Sequence, residues 1–194
     1  EKTDPDLIPP MAEFLENTLG KGGVYAKDTP NFIANRIGVY GMMVTLDEAQ
    51  KKKLSIEDVD ALTGTLIGRP KSATFRTSDI VGLDTMCFVA NTAYERCTDD
   101  PEKEIFKIPD YLQTMVDSGW LGQKTKQGFY KKIDKGVIHS INLESLEYGP
   151  QNKKKYAGIR LAKENTKIAD KIKALVNSDD ISGQFIWEIT AKAL

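Results

Sequence analysis

The sequence predicts a mainly α-helical protein that begins with a short piece of an α/β domain and carries one β-hairpin. Three observations predict this. Apolar residues recur at helical spacing through most of the chain. Period-two alternation beyond residue 28 marks one hairpin, GFYKKIDKGVIHSIN, residues 128–142. The first 28 residues read as a helix, a glycine stop and a short strand.

The elements follow in order. Leu7, Ile8, Met11, Phe14, Leu15 and Leu19 lie on one helical face, so residues 5–19 read as a helix that Gly20 stops. GGVYAKD, residues 22–28, reads as a strand because Val24 and Ala26 alternate with Tyr25 and Lys27. Asp28-Thr29-Pro30 then opens a helix with a capping side chain and a proline that the first turn tolerates. That helix is expected over 31–52, where Lys51, Lys52 and Lys53 suit its negative end. Ser55-Ile56-Glu57-Asp58 is close to a capping box and starts a short helix through Leu62.

Gly64, Gly68 and Pro70 interrupt the chain, and residues 77–97 restart it as one long helix. Residues 108–120 supply a further helix, with Pro109 at its start and Gly119 past its end. The hairpin turns at Asp134-Lys135-Gly136. Beyond Pro150 the composition is basic and helical through Val176, and Ser178-Asp179-Asp180 caps a last helix. Its sequence, ISGQFIWEITAKAL, echoes TPNFIANRIGVYGM from Thr29. The echo is either a duplicated helical unit or chance agreement of short segments. The expected divisions are 1–28, 29–150 and 151–194.

Composition excludes some functions. The 194 residues carry 27 Lys and Arg against 28 Asp and Glu, a balance unsuited to nucleic acid or an anionic membrane as main partner. No apolar run nears the roughly 18 residues that span a bilayer, and no secretory leader is recognisable. Cys87 and Cys97, ten apart in one helical stretch, lie about 15 Å apart at a rise of ~1.5 Å per residue, too far for a disulfide. Reduced thiols suit the cytoplasm. One histidine, His139, and two distant cysteines make no zinc site. Both ends read as cuts in a longer protein, since Met is missing at Glu1 and Leu194 falls inside a helical pattern.

Few residues could carry chemistry. Asn35 and Arg36 sit in the first turns of an otherwise apolar helix, whose positive end favours negative charge. A buried amide there must find a partner, since leaving it unpaired costs about 1–3 kcal/mol. Arg69, Lys71 and Arg76 place three cations in a loop with Ser72, Thr74 and Ser78, able to bind phosphate by charge-assisted bonds or simply to be solvated. His139 reads as a hairpin residue, and no GxGxxG turn, nucleophile elbow or paired carboxylates occur.

The blocks DTPNFIANR, EDVD, GRPKSATF, DIVGLDT and GQKTKQGFY stand in that order between about Gly20 and Lys132. In that order they resemble the helical domain of the L-3-hydroxyacyl-CoA dehydrogenases, including the long multifunctional bacterial members with a second helical copy. The resemblance implies a C-terminal helical domain of the 6-phosphogluconate-dehydrogenase-like type. It implies NAD-dependent oxidation of 3-hydroxyacyl-CoA to 3-oxoacyl-CoA in fatty-acid β-oxidation. NAD would be bound mainly by an upstream dinucleotide-binding domain that also carries a catalytic His–Glu pair. The implied partners are the acyl-CoA substrate, that upstream domain and a second copy in a homodimer. Asn35 matches the family's substrate-orienting asparagine, with Phe32 beside it on the substrate side. The loop of Arg69, Lys71 and Arg76 would adjoin the substrate cleft, and Arg36 would fix the helix end or a domain contact. Asn31 stands where the family has Gly, and Ser72-Ala73 where it has Gly-Pro. The competing reading is a non-catalytic helical binding or dimerisation module.

Overall fold

Burial along a single helix organises the molecule, for which the computed structural model describes residues 3–193. Helix α2, Ala34–Lys51, is open at its first turns, whereas Val39, Met43–Leu46, Glu48 and Ala49 are buried. The buried half meets two other helices, α5 (Leu83–Arg96) and α9 (Ile181–Ala191). Helices α3 (Ile56–Leu62) and α4 (Phe75–Val81) pack on each other, and α6 (Asp110–Asp117) packs on α5. Helices α7 (Ala157–Lys163) and α8 (Ile168–Val176) pair and lie on the turn at Thr65–Ile67. One apolar core runs through them, from Leu46, Leu62 and Phe75 to Leu112, Leu175 and Phe185. Each such fully buried side chain contributes about 1.5–3 kcal/mol.

The sheet has three antiparallel strands in the order β1 (Tyr130–Lys132), β2 (Ile138–Ile141) and β3 (Tyr148–Pro150). The expected hairpin is β1–β2, with Tyr130 opposite Ser140. Strand β3 is additional. It has only three residues and ends on a proline, which an edge strand tolerates, so no alternation reveals it.

Other expectations are corrected. Residues 22–28 form no strand, and Val24 and Tyr25 are about three-quarters exposed. Extended backbone becomes a strand only with a neighbour to pair with, and none adjoins this segment among the described residues. The expected first helix is a 3₁₀ turn Pro5–Leu7, a short α1 (Ile8–Glu13) and a π-type turn Phe14–Thr18, with no buried residue in any of them.

Helix α2 begins at Ala34 rather than at residue 31, and Asp28 does not cap it. Asn31 and Phe32 both hold left-handed backbone, φ +64° and +49°, which no right-handed helix includes. The helix expected over 77–97 is two, α4 and α5, because Gly82 at φ +98° turns the chain between them. The helical stretch expected beyond Pro150 begins only at Ala157, residues 151–156 being non-helical, and divides at residues 164–167 into α7 and α8. The Ser55 cap is as expected: its Oγ accepts from Asp58 N–H at 3.2 Å. Asp180 caps α9 by accepting from Ser182 N–H at 3.1 Å. Glu1, Lys2 and Leu194, on which the reading of cut ends rests, lie outside the described residues.

Candidate functional site

The acidic blocks of the sequence are bound to backbone amides and hold the scaffold. Glu57 Oε1 accepts from Asn152 N–H at 2.6 Å, and Asp58 accepts from Lys154 N–H and Tyr156 Oη–H, both at 3.0 Å. Asp60 reaches the start of α4, where Thr74, Phe75 and Arg76 N–H donate to it at 3.1, 2.7 and 3.2 Å. Tyr130 Oη–H adds a fourth bond to Asp60 at 2.8 Å. A helix start left without a local cap is thereby satisfied from a distant element. Burial raises the Asp60 carboxyl above its usual range, against the pull of these donors.

Asp79 ties α4 to β1 in the same way, accepting from Phe129 N–H at 2.8 Å and Tyr130 N–H at 2.9 Å. Burial pushes its carboxyl up to about 6, and the two amides oppose the shift. The fit leaves no room for side chains. A Cβ on Gly122 would lie 2.3 Å from the Asp79 carbonyl oxygen, and one on Gly128 only 2.2 Å from its Oδ1. Lys124 pairs with Asp84 at 2.6 Å, next to the Gly82 turn. The DIVGLDT and GQKTKQGFY blocks are the two halves of one joint.

The open end of α2 is different. Asn31 Nδ2 donates to the Val89 carbonyl of α5 at 2.9 Å, clamping the left-handed turn before the helix. Asparagine is among the few side chains that accept this backbone, which gives a physical reason for it where glycine is usual. Arg36 binds Asp100 at 2.6 Å, fixing the helix end to the charged loop after α5 and holding the Asp100 carboxyl below its usual range. Asn35, expected as a buried amide needing a partner, is exposed, and its side chain makes no hydrogen bond among the described residues. Phe32, Ile33 and Ile37 beside it are 57%, 45% and 63% exposed.

The three cations expected together are divided. Lys71 and Arg76 line one cavity of about 470 Å³ between α3, α4 and the segment after β3. Arg69 lines neither this cavity nor its neighbour; it is half-buried, and burial lowers its guanidinium pKa. Arg76 lies 4.2 Å from the centre of the Tyr130 ring, a cation–π contact. A second cavity of about 710 Å³ lies between α4 and the β1–β2 hairpin and includes Lys126 and Lys132. Lys126 holds left-handed backbone at φ +60°, a strain of about 1–2 kcal/mol that glycine would avoid. The sequence reading missed Tyr130, Lys126, Lys132 and Lys153, because only folding brings them beside Arg76. His139 sits half-buried on β2 opposite Lys131.

A dinucleotide cradle needs a glycine-rich turn between a strand and a helix. Among the described residues no such unit occurs, so these residues do not fit NAD. Nor is any helix among them long and apolar enough to cross a membrane.

Residues 32–132 match the family described as "3-hydroxyacyl-CoA dehydrogenase, C-terminal domain". The chain is 50% identical over its whole length to a probable 3-hydroxyacyl-CoA dehydrogenase of Bacillus subtilis, of which it covers 24%. A probable 3-hydroxyacyl-CoA dehydrogenase of Deinococcus radiodurans is 46% identical over 68% of the chain, which spans 37% of that protein. The fold resembles the crystal structure of (S)-3-hydroxybutyryl-CoA dehydrogenase from Ralstonia eutropha. There the TM-score is 0.54 at 28% identity, over 63% of this chain and 42% of that one.

Proposed function

Because this chain belongs to the 3-hydroxyacyl-CoA dehydrogenase C-terminal-domain family, we propose that it is the substrate-side part of such an enzyme. The whole protein would oxidise 3-hydroxyacyl-CoA to 3-oxoacyl-CoA with NAD, in fatty-acid β-oxidation. NAD and the catalytic His–Glu pair would belong to an upstream dinucleotide-binding domain. This chain would supply one wall of the substrate cleft and an assembly surface for a homodimer. The two free thiols, Cys87 and Cys97, suit a cytoplasmic setting.

One observation carries the reading: Asn35 is an exposed amide without an internal bond, on the uncovered end of a helix that is otherwise core. Its hydrogen-bonding capacity is free for a substrate oxygen. Phe32 would pack beside that substrate, and Lys71 and Arg76 would adjoin its charged end. Arg69 lacks the cavity that supports a role for the other two.

Replacing Asn35 by Ala in the full-length protein tests this directly. Turnover is expected to fall by about 10²–10³, the loss typical of one transition-state donor. The melting temperature should not change, because no internal contact is removed. Turnover within about twofold of wild type would refute the role of Asn35. The rival reading, a non-catalytic dimerisation module, draws on exposed Phe32, Ile33 and Ile37. It predicts that Ile37→Asp shifts the oligomeric state, whereas Asn35→Ala leaves every activity intact.

A further inference from the structure

The two cavities meet at Arg76. Ser72, Arg76 and Tyr130 line both; Lys71 and Lys153 belong to the first, Lys126 and Lys132 to the second. None of these five cations has an ion-pair partner among the described residues. The carboxylates in the same walls are already engaged. Glu57 holds the Asn152 amide, Asp60 the start of α4, and Asp79 the amides of Phe129 and Tyr130. Asp134, exposed on the hairpin, is the remaining carboxylate among the described lining residues.

The lining also has an apolar side, Ile80, Ile133 and Ile138, exposed by 56%, 37% and 37%.

We propose that this double cavity binds a small, multiply charged phosphate ester. The ammonium groups of Lys71, Lys126, Lys132 and Lys153 and the Arg76 guanidinium surround its phosphates by charge-assisted bonds. The isoleucines receive its less polar part. Two sources offer this chemistry: the nucleotide end of a coenzyme A thioester, and a free nucleotide. Assigning the first rests on the function proposed above; the binding of a phosphate ester does not.

The test uses the full-length protein and calorimetric titration with coenzyme A, adenosine 3′,5′-bisphosphate and pantetheine, which lacks the phosphates. The variant is Lys126→Gly with Lys132→Gln. Glycine fits the left-handed position and both side chains are exposed, so folding is preserved. Arg69→Gln, outside both cavities, is the control. In the double variant, affinity for the bisphosphate should fall about tenfold, the combined loss of two exposed contacts. Higher salt should weaken wild-type binding; pantetheine should respond neither to salt nor to the double variant, and Arg69→Gln should bind the bisphosphate as wild type does.

If coenzyme A weakens in parallel, the ligand is the thioester's nucleotide end; if it does not, the site serves free nucleotide. Unchanged bisphosphate affinity in the double variant, or no bisphosphate binding by wild type, overturns the proposal. A protein that binds phosphate here but lacks dehydrogenase activity would retain the site and lose the proposed function.

Discussion

Asn31 combines two constraints that usually occur apart, left-handed backbone and a tertiary hydrogen bond to Val89. The two can be separated. Asn31→Gly keeps the backbone unstrained and loses only the bond, an expected cost of about 0.5–1.5 kcal/mol. Asn31→Ala loses the bond and adds left-handed strain of about 1–2 kcal/mol. Chemical denaturation should therefore rank wild type above Gly and Gly above Ala; equal stability of the two variants would show that the backbone does not hold φ +64°. At this scale the sequence was legible only where partners are local. Ser55 caps an amide three residues on and was read correctly, whereas Asp60 and Asp79 bind amides 15 and 50 residues away. No short-range pattern announces such bonds.

Between elements, the charged contact of α2 with α9 is open to titration. Glu48 is almost wholly buried, and Lys192 reaches it at 2.7 Å while Lys52 pairs with Glu188 at 2.7 Å. Burial alone would raise the Glu48 carboxyl, but the Lys192 ammonium bonded to it and the charge of Lys51 bring it down to about 2. A lowered carboxyl stabilises the fold above its unfolded value, about 4.5, and that contribution is lost as pH falls towards 2. Glu48→Gln should thus cost about 1–3 kcal/mol at pH 7 and less near pH 3. Thermal melting across that range measures it; a pH-independent difference would exclude an ionised Glu48. Helix interiors were legible from their apolar spacing and element ends less so. Gly82 was visible in the sequence, but not that its φ of +98° would divide a helical pattern in two.

For the molecule as a whole, a helical body with a hairpin was legible because long periodic segments dominate the chain. The third strand was not, since its pairing with β2 and the packing of Tyr148 on Trp120 exist only in the folded chain. Of the candidate site, the type and position of Asn35 were readable, but its exposure depends on what covers the first turns of α2. The fate of Arg69 was equally hidden, since three cations close in sequence are separated by the loop that carries them. The described residues lack a dinucleotide cradle, so the chain alone should not oxidise NADH with a 3-oxoacyl-CoA. A spectrophotometric assay at 340 nm would register any turnover, and turnover above buffer would contradict the division of labour proposed between this chain and an upstream domain.

The joint between Asp79 and the amides of Phe129 and Tyr130 has a consequence for how variants are sorted. Sequence surveillance and folding screens both read that joint, since losing it alters the recognisable blocks and the packing together. A folding screen does not read Asn35, whose side chain bonds to nothing within the described residues. If Asn35 has the role proposed for it, a variant there would express normally and melt normally while losing activity. Only a direct assay of the reaction would expose it.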